Sequence, residues 1–235
     1  MADNTISALV DQSAIIFQGT VRASGASTIR EVAASDAVAI VRADKILLAP
    51  PALGNLNGSE LTVRWRGASR PSEGAQAIFF TNPWIYGTDI GVVEIGRVDS
   101  LKASEVASEI ENQPIRALAL RLADTELVVA GKVEKVEPSG LAEPVSHHSP
   151  RWMRATVQVE SIEKGTLPPG RASVLFASAQ DVKWRWAPRL QAGQEGVFLM
   201  RRGQGPFAPK DACTITDPRD VQSKDALPRI KKLLK

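Results

Sequence analysis

Cysteine and histidine are scarce in this chain, which limits the chemistry it can perform. Its 235 residues include one cysteine, Cys213, and two histidines, His147 and His148. A single thiol cannot form an internal disulfide, so the fold must rest on packing alone. The two histidines are adjacent in a loop rich in proline and serine, whereas a metal site needs three or four ligands. We therefore expect no bound metal and few candidates for Ser-His-Asp or Cys-His catalysis.

The sequence also lacks long apolar runs and a strong charge of either sign. No apolar stretch approaches the roughly 20 residues that cross a bilayer as a helix, so no membrane span is expected. The first residues lack the basic segment and apolar core of a signal peptide, which predicts a cytoplasmic protein; a mature exported chain with an added start methionine stays open. The net charge of +3 is mild, and a charge this small usually serves solubility, so nucleic acid is the weaker of two partner classes.

Signatures of catalysis and cofactor binding are missing as well. No glycine-rich phosphate loop follows a strand and opens a helix. The carboxylates are scattered along the sequence, so two of them could meet only through the fold. We expect no catalytic residues, no cofactor and a protein that is not an enzyme.

What the chain does contain is an internal repeat. Residues 13–21 and 125–133 are each a short apolar run interrupted by a glycine, with Gly19 matching Gly131 at an offset of about 112 residues. Such runs are typical of buried strands, and a glycine within one indicates a bulge or bend. Gly74 and Gly193 match at a larger offset of about 119 residues, so the second copy should contain a net insertion of about seven residues.

The elements between these glycines predict the fold. Each copy is expected to contain a helix, five short strands with a Pro/Gly turn after the second, and a closing helix. Five strands in about 115 residues suit a small closed barrel, which leaves no exposed sheet edge. The sequence therefore predicts a mainly β protein with a few short helices, made of two tandem OB-like five-stranded barrels related by internal duplication. The expected domains are residues 1–112 and 113–235.

Four helices are predicted at the domain ends. Residues 102–112 and 223–234 have apolar side chains at helical spacing. A helix at about 115–123 opens copy two and mirrors residues 4–12 of copy one. Pro228 lies inside the segment 223–234, so that helix should begin near it.

Copy two resembles a known family. Ala-Gly-Lys-Val at 130–133, the strand and turn at 157–165, and Ala-Gly-Gln-Glu-Gly-Val-Phe-Leu at 192–199 resemble the netrin-like domains of tissue inhibitors of metalloproteinases. The resemblance implies OB-type barrels. It also raises protease inhibition as a function by analogy, which in that family uses an N-terminal cysteine to ligate the protease zinc.

A tryptophan between basic residues is the most distinctive motif. Residues 63–66, Val-Arg-Trp-Arg, match residues 182–185, Val-Lys-Trp-Arg, and an arginine follows four residues after each motif. A tryptophan beside arginine can make a cation–π pair or stack a nucleobase. Strand alternation favours the other interpretation, in which Trp65 and Trp184 pack inside the barrels and the basic side chains point outward. The candidate binding residues are Arg64, Trp65, Arg66, Arg70, Lys183, Trp184, Arg185, Trp186 and Arg189.

These observations favour a non-enzymatic protein-binding or scaffold module, with another protein as its partner. The first alternative is single-stranded nucleic-acid binding through the Trp/Arg motif. The second alternative is protease inhibition, which rests on the family resemblance alone.

Overall fold

The chain is mainly β and forms two compact units, residues 1–116 and 117–235. The computed structural model describes residues 5–87, 89–141, 151–168, 170–178, 186–203 and 212–235. Among the residues that the structure describes, no helix is both long and apolar enough to cross a bilayer.

Unit one is a closed barrel of five strands. Its elements are helix α1 (Ile6–Gln12) and strands β1 (Ile15–Ser24), β2 (Val38–Leu48), β3 (Glu60–Arg64), β4 (Gln76–Tyr86) and β5 (Ile90–Asp99). The strands pair in the order β1-β2-β3-β5-β4, and β4 pairs back with β1. The β3–β5 pair is parallel and the other pairs are antiparallel.

Unit two repeats this topology. Helix α2 (Ala103–Ala123) leads into strands β6 (Leu127–Pro138), β7 (Arg151–Lys164), β8 (Arg171–Ser178), β9 (Glu195–Arg202) and β10 (Cys213–Ile215), then β11 (Val221–Gln222) and helix α3 (Leu227–Leu233). The order β6-β7-β8-β10-β9 closes because β9 pairs with β6, and β8–β10 is again the parallel pair. The predicted architecture of two tandem five-stranded barrels is confirmed, and it is consistent with an OB-like fold.

The two barrels break register at equivalent places, which is strong support for the duplication. Strand β1 shifts its pairing with β2 at three points, and β6 shifts against β7 at three matching points about 112 residues later. The shifts lie at Ile16/Phe17, Gln18/Gly19 and Val21/Ala23 in unit one and at Val128/Val129, Ala130/Gly131 and Val133/Lys135 in unit two.

Close backbone contacts explain why glycine occupies the central break. A Cβ on Gly19 would lie 2.7 Å from the carbonyl oxygen of Arg42, and a Cβ on Gly131 would overlap the carbonyl oxygen of Gln158. Both glycines also occupy the same cross-strand position, since Gly19 pairs with Ala77 of β4 and Gly131 pairs with Gly196 of β9. The bulge predicted from the interrupted apolar runs is confirmed.

The turns before β4 and β9 are equivalent too. Gly74 has a φ of 80° and Gly193 a φ of 85°, a conformation that glycine adopts without strain. The Gly74 N–H donates to the Val21 carbonyl at 2.9 Å, and the Gly193 N–H donates to the Val133 carbonyl at 2.8 Å.

Each unit has an apolar layer inside the barrel and a second layer beneath its helices. The inner layers are centred on Phe17, Val63 and Phe79 in unit one and on Val174 and Phe198 in unit two. The outer layers join the helices to the first and fourth strands, through Leu9, Val10, Ile16, Phe80 and Val106 in unit one and Leu118, Leu122, Val128, Leu199 and Ile230 in unit two. Burying each such side chain contributes about 1.5–3 kcal/mol.

Helix α2 differs from the sequence prediction. Two helices separated near residue 113 were expected, but one helix runs through Pro114. Proline removes one helical hydrogen bond and costs about 3 kcal/mol in a helix interior. The helix packs Val106 into the outer layer of unit one and Leu118 and Leu122 into that of unit two, and this burial offsets the cost. Helix α3 begins at Leu227, so Pro228 lies in its first turn, and the predicted start near Pro228 is confirmed.

Candidate binding surfaces

Trp65 of the first motif belongs to the barrel core. It follows β3 directly, and its backbone N–H donates to the carbonyl of Ala37 at 2.9 Å. The side chain is 8% exposed, and its ring lies 6.1 Å from the ring of Phe79. The packing interpretation is confirmed for Trp65, which therefore offers no open face to a nucleobase.

An internal ion pair covers the outer edge of Trp65. The guanidinium carbon of Arg97 lies 5.8 Å from the centre of the Trp65 ring, and its Nη1 pairs with Glu94 Oε1 at 2.5 Å. Arg97 Nη2 donates to the carbonyl of Ser69 at 2.6 Å. Burial raises the pKa of Glu94, although Arg97 opposes the shift. These contacts tie the segment after β3 to strand β5.

The arginines of the first motif face outward. Arg64, Arg66 and Arg70 are all exposed, and we call them the arginine surface. The Arg64 guanidinium lies 5.2 Å from the ring centre of Trp84, and Arg70 pairs with Asp36 at 2.6 Å. The side chain of Arg66 has no ion pair within the described part of the chain.

The second motif does not correspond to the first, contrary to the sequence match. Val63 pairs with Ala39 and with Val92, and the residue in the same place of unit two is Val174, which pairs with Ala155 and Cys213. Two residues further, Trp65 is therefore matched by Phe176, a core side chain that is 3% exposed.

The insertion in copy two explains the mismatch. Strand β8 ends at Ser178, before the motif begins. The offset between the copies grows from about 111 residues at Val174 to about 119 at Gly193, so the inserted residues lie in the interval that contains the motif. Lys183, Trp184 and Arg185 lie outside the described residues.

Trp186 and Arg189 are both exposed, and Trp186 is 70% exposed. The neighbouring Leu190 returns to the inner core and is 4% exposed. Among the described residues of unit two, Trp186 is the exposed tryptophan, since Trp152 is 5% exposed.

The remaining candidates from the sequence are the two histidines and the single cysteine. His147 and His148 lie outside the described residues. The described part of the chain holds no group of three or more His, Cys, Asp and Glu side chains arranged to bind a metal ion. Cys213 is half-buried on β10, and burial raises the pKa of its thiol.

A buried charge cluster in unit two is fully paired and has a structural role. The Asp220 carboxylate is completely buried and accepts from Arg121 at 2.7 Å and from Arg201 at 2.8 Å. Hydrogen bonds from Arg219 hold the pKa of the neighbouring Asp217 well below its usual range. The cluster joins the end of α2 to β9 through hydrogen bonds between its own side chains.

Sequence reasoning missed a cavity of about 480 Å³ in unit two. Three arginines contribute to it: Arg154 of β7, Arg171 of β8 and Arg202 of β9. The remaining lining residues are Leu141, Thr166, Leu167, Pro168, Ala172, Ser173, Leu175, Ala212 and Cys213. The three arginines lie on three different strands, so no single local motif could have indicated the cavity.

The sequence matches no protein-family model and has no significant match among curated proteins.

Proposed function

We propose that this chain is a non-enzymatic protein-binding module, acting as a scaffold or adaptor. The observation that carries the proposal is the division of the first motif, with Trp65 in the core and the arginine surface outside. A motif built to stack nucleobases would expose its ring. Here the exposed groups are guanidinium groups, which form paired hydrogen bonds with the carboxylates of proteins and also with phosphates.

The setting of Arg64 suits a protein interface. Its guanidinium lies on the ring of Trp84, which holds the side chain in place before any partner binds. Ordering a long side chain on binding costs about 0.5–1.5 kcal/mol, so an arginine that is already ordered binds more favourably. Arginine and tryptophan are also enriched among the residues that dominate interface energies.

Single-stranded nucleic-acid binding is the second candidate, and the exposed ring of Trp186 is the observation that favours it. One ring supplies about 1–3 kcal/mol of stacking, and general single-strand binding uses several such rings. Protease inhibition rests only on the family resemblance. Inhibitors of that family use an N-terminal cysteine, whereas the single cysteine of this chain is Cys213 on β10.

Quantitative co-purification tests the proposal. The tagged intact chain is incubated with nuclease-treated lysate of its native host, and recovered proteins are measured by mass spectrometry. We expect a specific protein that is recovered with the wild type and at least about ten-fold less with Arg64→Gln/Arg66→Gln, since each lost charged hydrogen bond costs about 1.5–3 kcal/mol.

Arg22→Gln/Lys45→Gln is the matched control. Both side chains are exposed in unit one, and the change in charge is the same. Equal recovery with wild type and Arg64→Gln/Arg66→Gln, or an equal loss with the control, would contradict binding through the arginine surface.

A further inference from the structure

The cavity of unit two has the charge of a site for an anionic group. The described residues that line it include three arginines, and none of these described residues is acidic. Each guanidinium carries five N–H donors in a fixed plane, a geometry that matches a carboxylate.

The three arginines retain unused donors. Arg154 donates to the carbonyl of Ser139 at 2.8 Å and has no carboxylate partner among the described residues. Arg202 lies 3.6 Å from Glu126, with both side chains about half exposed, and such a surface pair contributes little. Arg171 is oriented by two hydrogen bonds to Glu134, through its Nε and one Nη atom, so its other Nη atom remains.

Several uncharged residues of the cavity are aliphatic. Among the described lining residues, Leu141, Leu167, Pro168 and Leu175 are apolar, and none is aromatic. Leu175 is 4% exposed and packs with Trp152 in an apolar cluster on the outer face of β7 and β8. Nucleobases are held mainly by stacking on aromatic rings, whereas these walls suit an aliphatic side chain.

We propose that this cavity binds an extended peptide segment of a protein partner, in which a carboxylate side chain stands next to an aliphatic one. The carboxylate pairs with Arg154 and with the free donors of Arg171 and Arg202. The aliphatic group packs against Leu167 and Pro168, which both keep accessible surface. This assignment rests on the proposed protein-binding function and adds to it a second surface, in the other unit, with a defined partner chemistry.

Cys213 supplies a direct reporter of occupancy. It lines the cavity, it pairs with Arg202 across the β9–β10 ladder, and it is the only cysteine in the chain. The rate of its alkylation by iodoacetamide in the intact chain is followed by mass spectrometry, at alkaline pH because the thiolate is the reactive form. The probe is a capped hexapeptide of alternating glutamate and leucine. At a peptide concentration of about ten times Kd, a bound cavity should slow the alkylation by roughly ten-fold.

Two further probes and three variants define the chemistry. The probes are a hexapeptide of alternating glutamine and leucine and an oligothymidylate strand. Arg154→Gln and Arg202→Gln should each weaken binding of the glutamate–leucine peptide by roughly ten-fold. Arg202 is half exposed, so its replacement leaves the fold intact even if Arg154→Gln does not. Arg229→Gln, an exposed position on α3 of the same unit, is the matched control and should bind like the wild type.

The outcomes separate this inference from the proposed function. Arg64→Gln/Arg66→Gln should still bind the glutamate–leucine peptide, because those arginines lie in the other unit. The cavity assignment is overturned if that peptide does not protect Cys213, if the glutamine–leucine peptide protects it equally, or if Arg202→Gln binds normally. Protection by oligothymidylate in preference to the peptide would overturn it in favour of nucleic acid.

Discussion

At the scale of single residues, strand alternation decides which side chains of the first motif face the core. Arg64 and Arg66 lie on one side of the chain and Trp65 on the other, and only one side of a barrel strand faces the core. Trp65 is 8% exposed and packs against Phe79. The sequence was sufficient to predict this inward ring, because the alternation of a short strand depends on local geometry alone.

Replacing Trp65 should therefore destabilise unit one. We expect Trp65→Ala to cost about 3–5 kcal/mol in unfolding free energy, the usual range for a buried aromatic side chain. Trp65→Phe should keep most of the unfolding free energy that Trp65→Ala loses, because phenylalanine fills the equivalent position of unit two at Phe176. Arg66→Ala should cost less than about 1 kcal/mol. Urea melts followed by circular dichroism measure all three, and a Trp65→Ala protein as stable as the wild type would show that the ring is not part of the core.

Glu94 should make stability depend on pH. Its pKa is raised from 4.5 mainly by burial, so the folded protein holds a proton that the unfolded chain has already released. The stability contributed by this group is then present below pH 4.5 and is lost as the pH rises through the raised pKa.

The Glu94→Gln variant isolates this effect because it cannot titrate. From about pH 4 to 7, the unfolding free energy of the wild type should fall relative to that of Glu94→Gln. Melts at several pH values in one buffer series provide the comparison. A difference that stays constant, or that grows in favour of the wild type, would mean that Arg97 outweighs burial.

At the scale of elements, the repeated bulge depends on glycine at one position of β1 and β6. Both glycines lie where a neighbouring carbonyl leaves no room for a Cβ, whereas Gly74 has open space and only a positive φ. The sequence indicated the bulges because a glycine interrupts each apolar run. It could not indicate which backbone atom approaches, since Arg42 and Gln158 belong to the partner strands.

Alanine substitutions should separate these two roles of glycine. Gly131→Ala should lower the unfolding free energy by about 2 kcal/mol or more, since backbone must move to admit the methyl group. Gly74→Ala should cost about 1 kcal/mol, the penalty of a positive φ without a clash. Thermal melts show which of the two variants loses more stability. A larger loss for Gly74→Ala than for Gly131→Ala would contradict the close backbone approach at Gly131.

Helix α2 shows where element prediction fails. Proline is normally a sign that a helix starts or stops, so a break was expected beside Pro114. The continuous helix depends on apolar contacts of Val106, Leu118 and Leu122 with strands that are distant in sequence. Such packing overrides a local signal and cannot be derived from the helical segment itself.

At the scale of the whole molecule, the duplication could be predicted and part of its alignment could not. The glycines and the barrel topology follow from apolar runs and turns, which the sequence displays. The match between the two Trp/Arg motifs was wrong because four similar residues within an insertion resembled a conserved strand end. The strand register places Phe176, not Trp184, in the position of Trp65. The cavity was also missed, because its three arginines lie on different strands and share no local motif.

The central claim is that the two units are copies of one barrel, aligned by this register. Inter-strand nuclear Overhauser effects in the isotope-labelled intact chain test it most directly. We expect equivalent contacts in the two units: Trp65 with Ala37 and Phe176 with Met153, and Gly19 with Ala77 and Gly131 with Gly196. Contacts that place Trp184 beside Met153, or that pair strands of one unit with strands of the other in a single sheet, would contradict the claim.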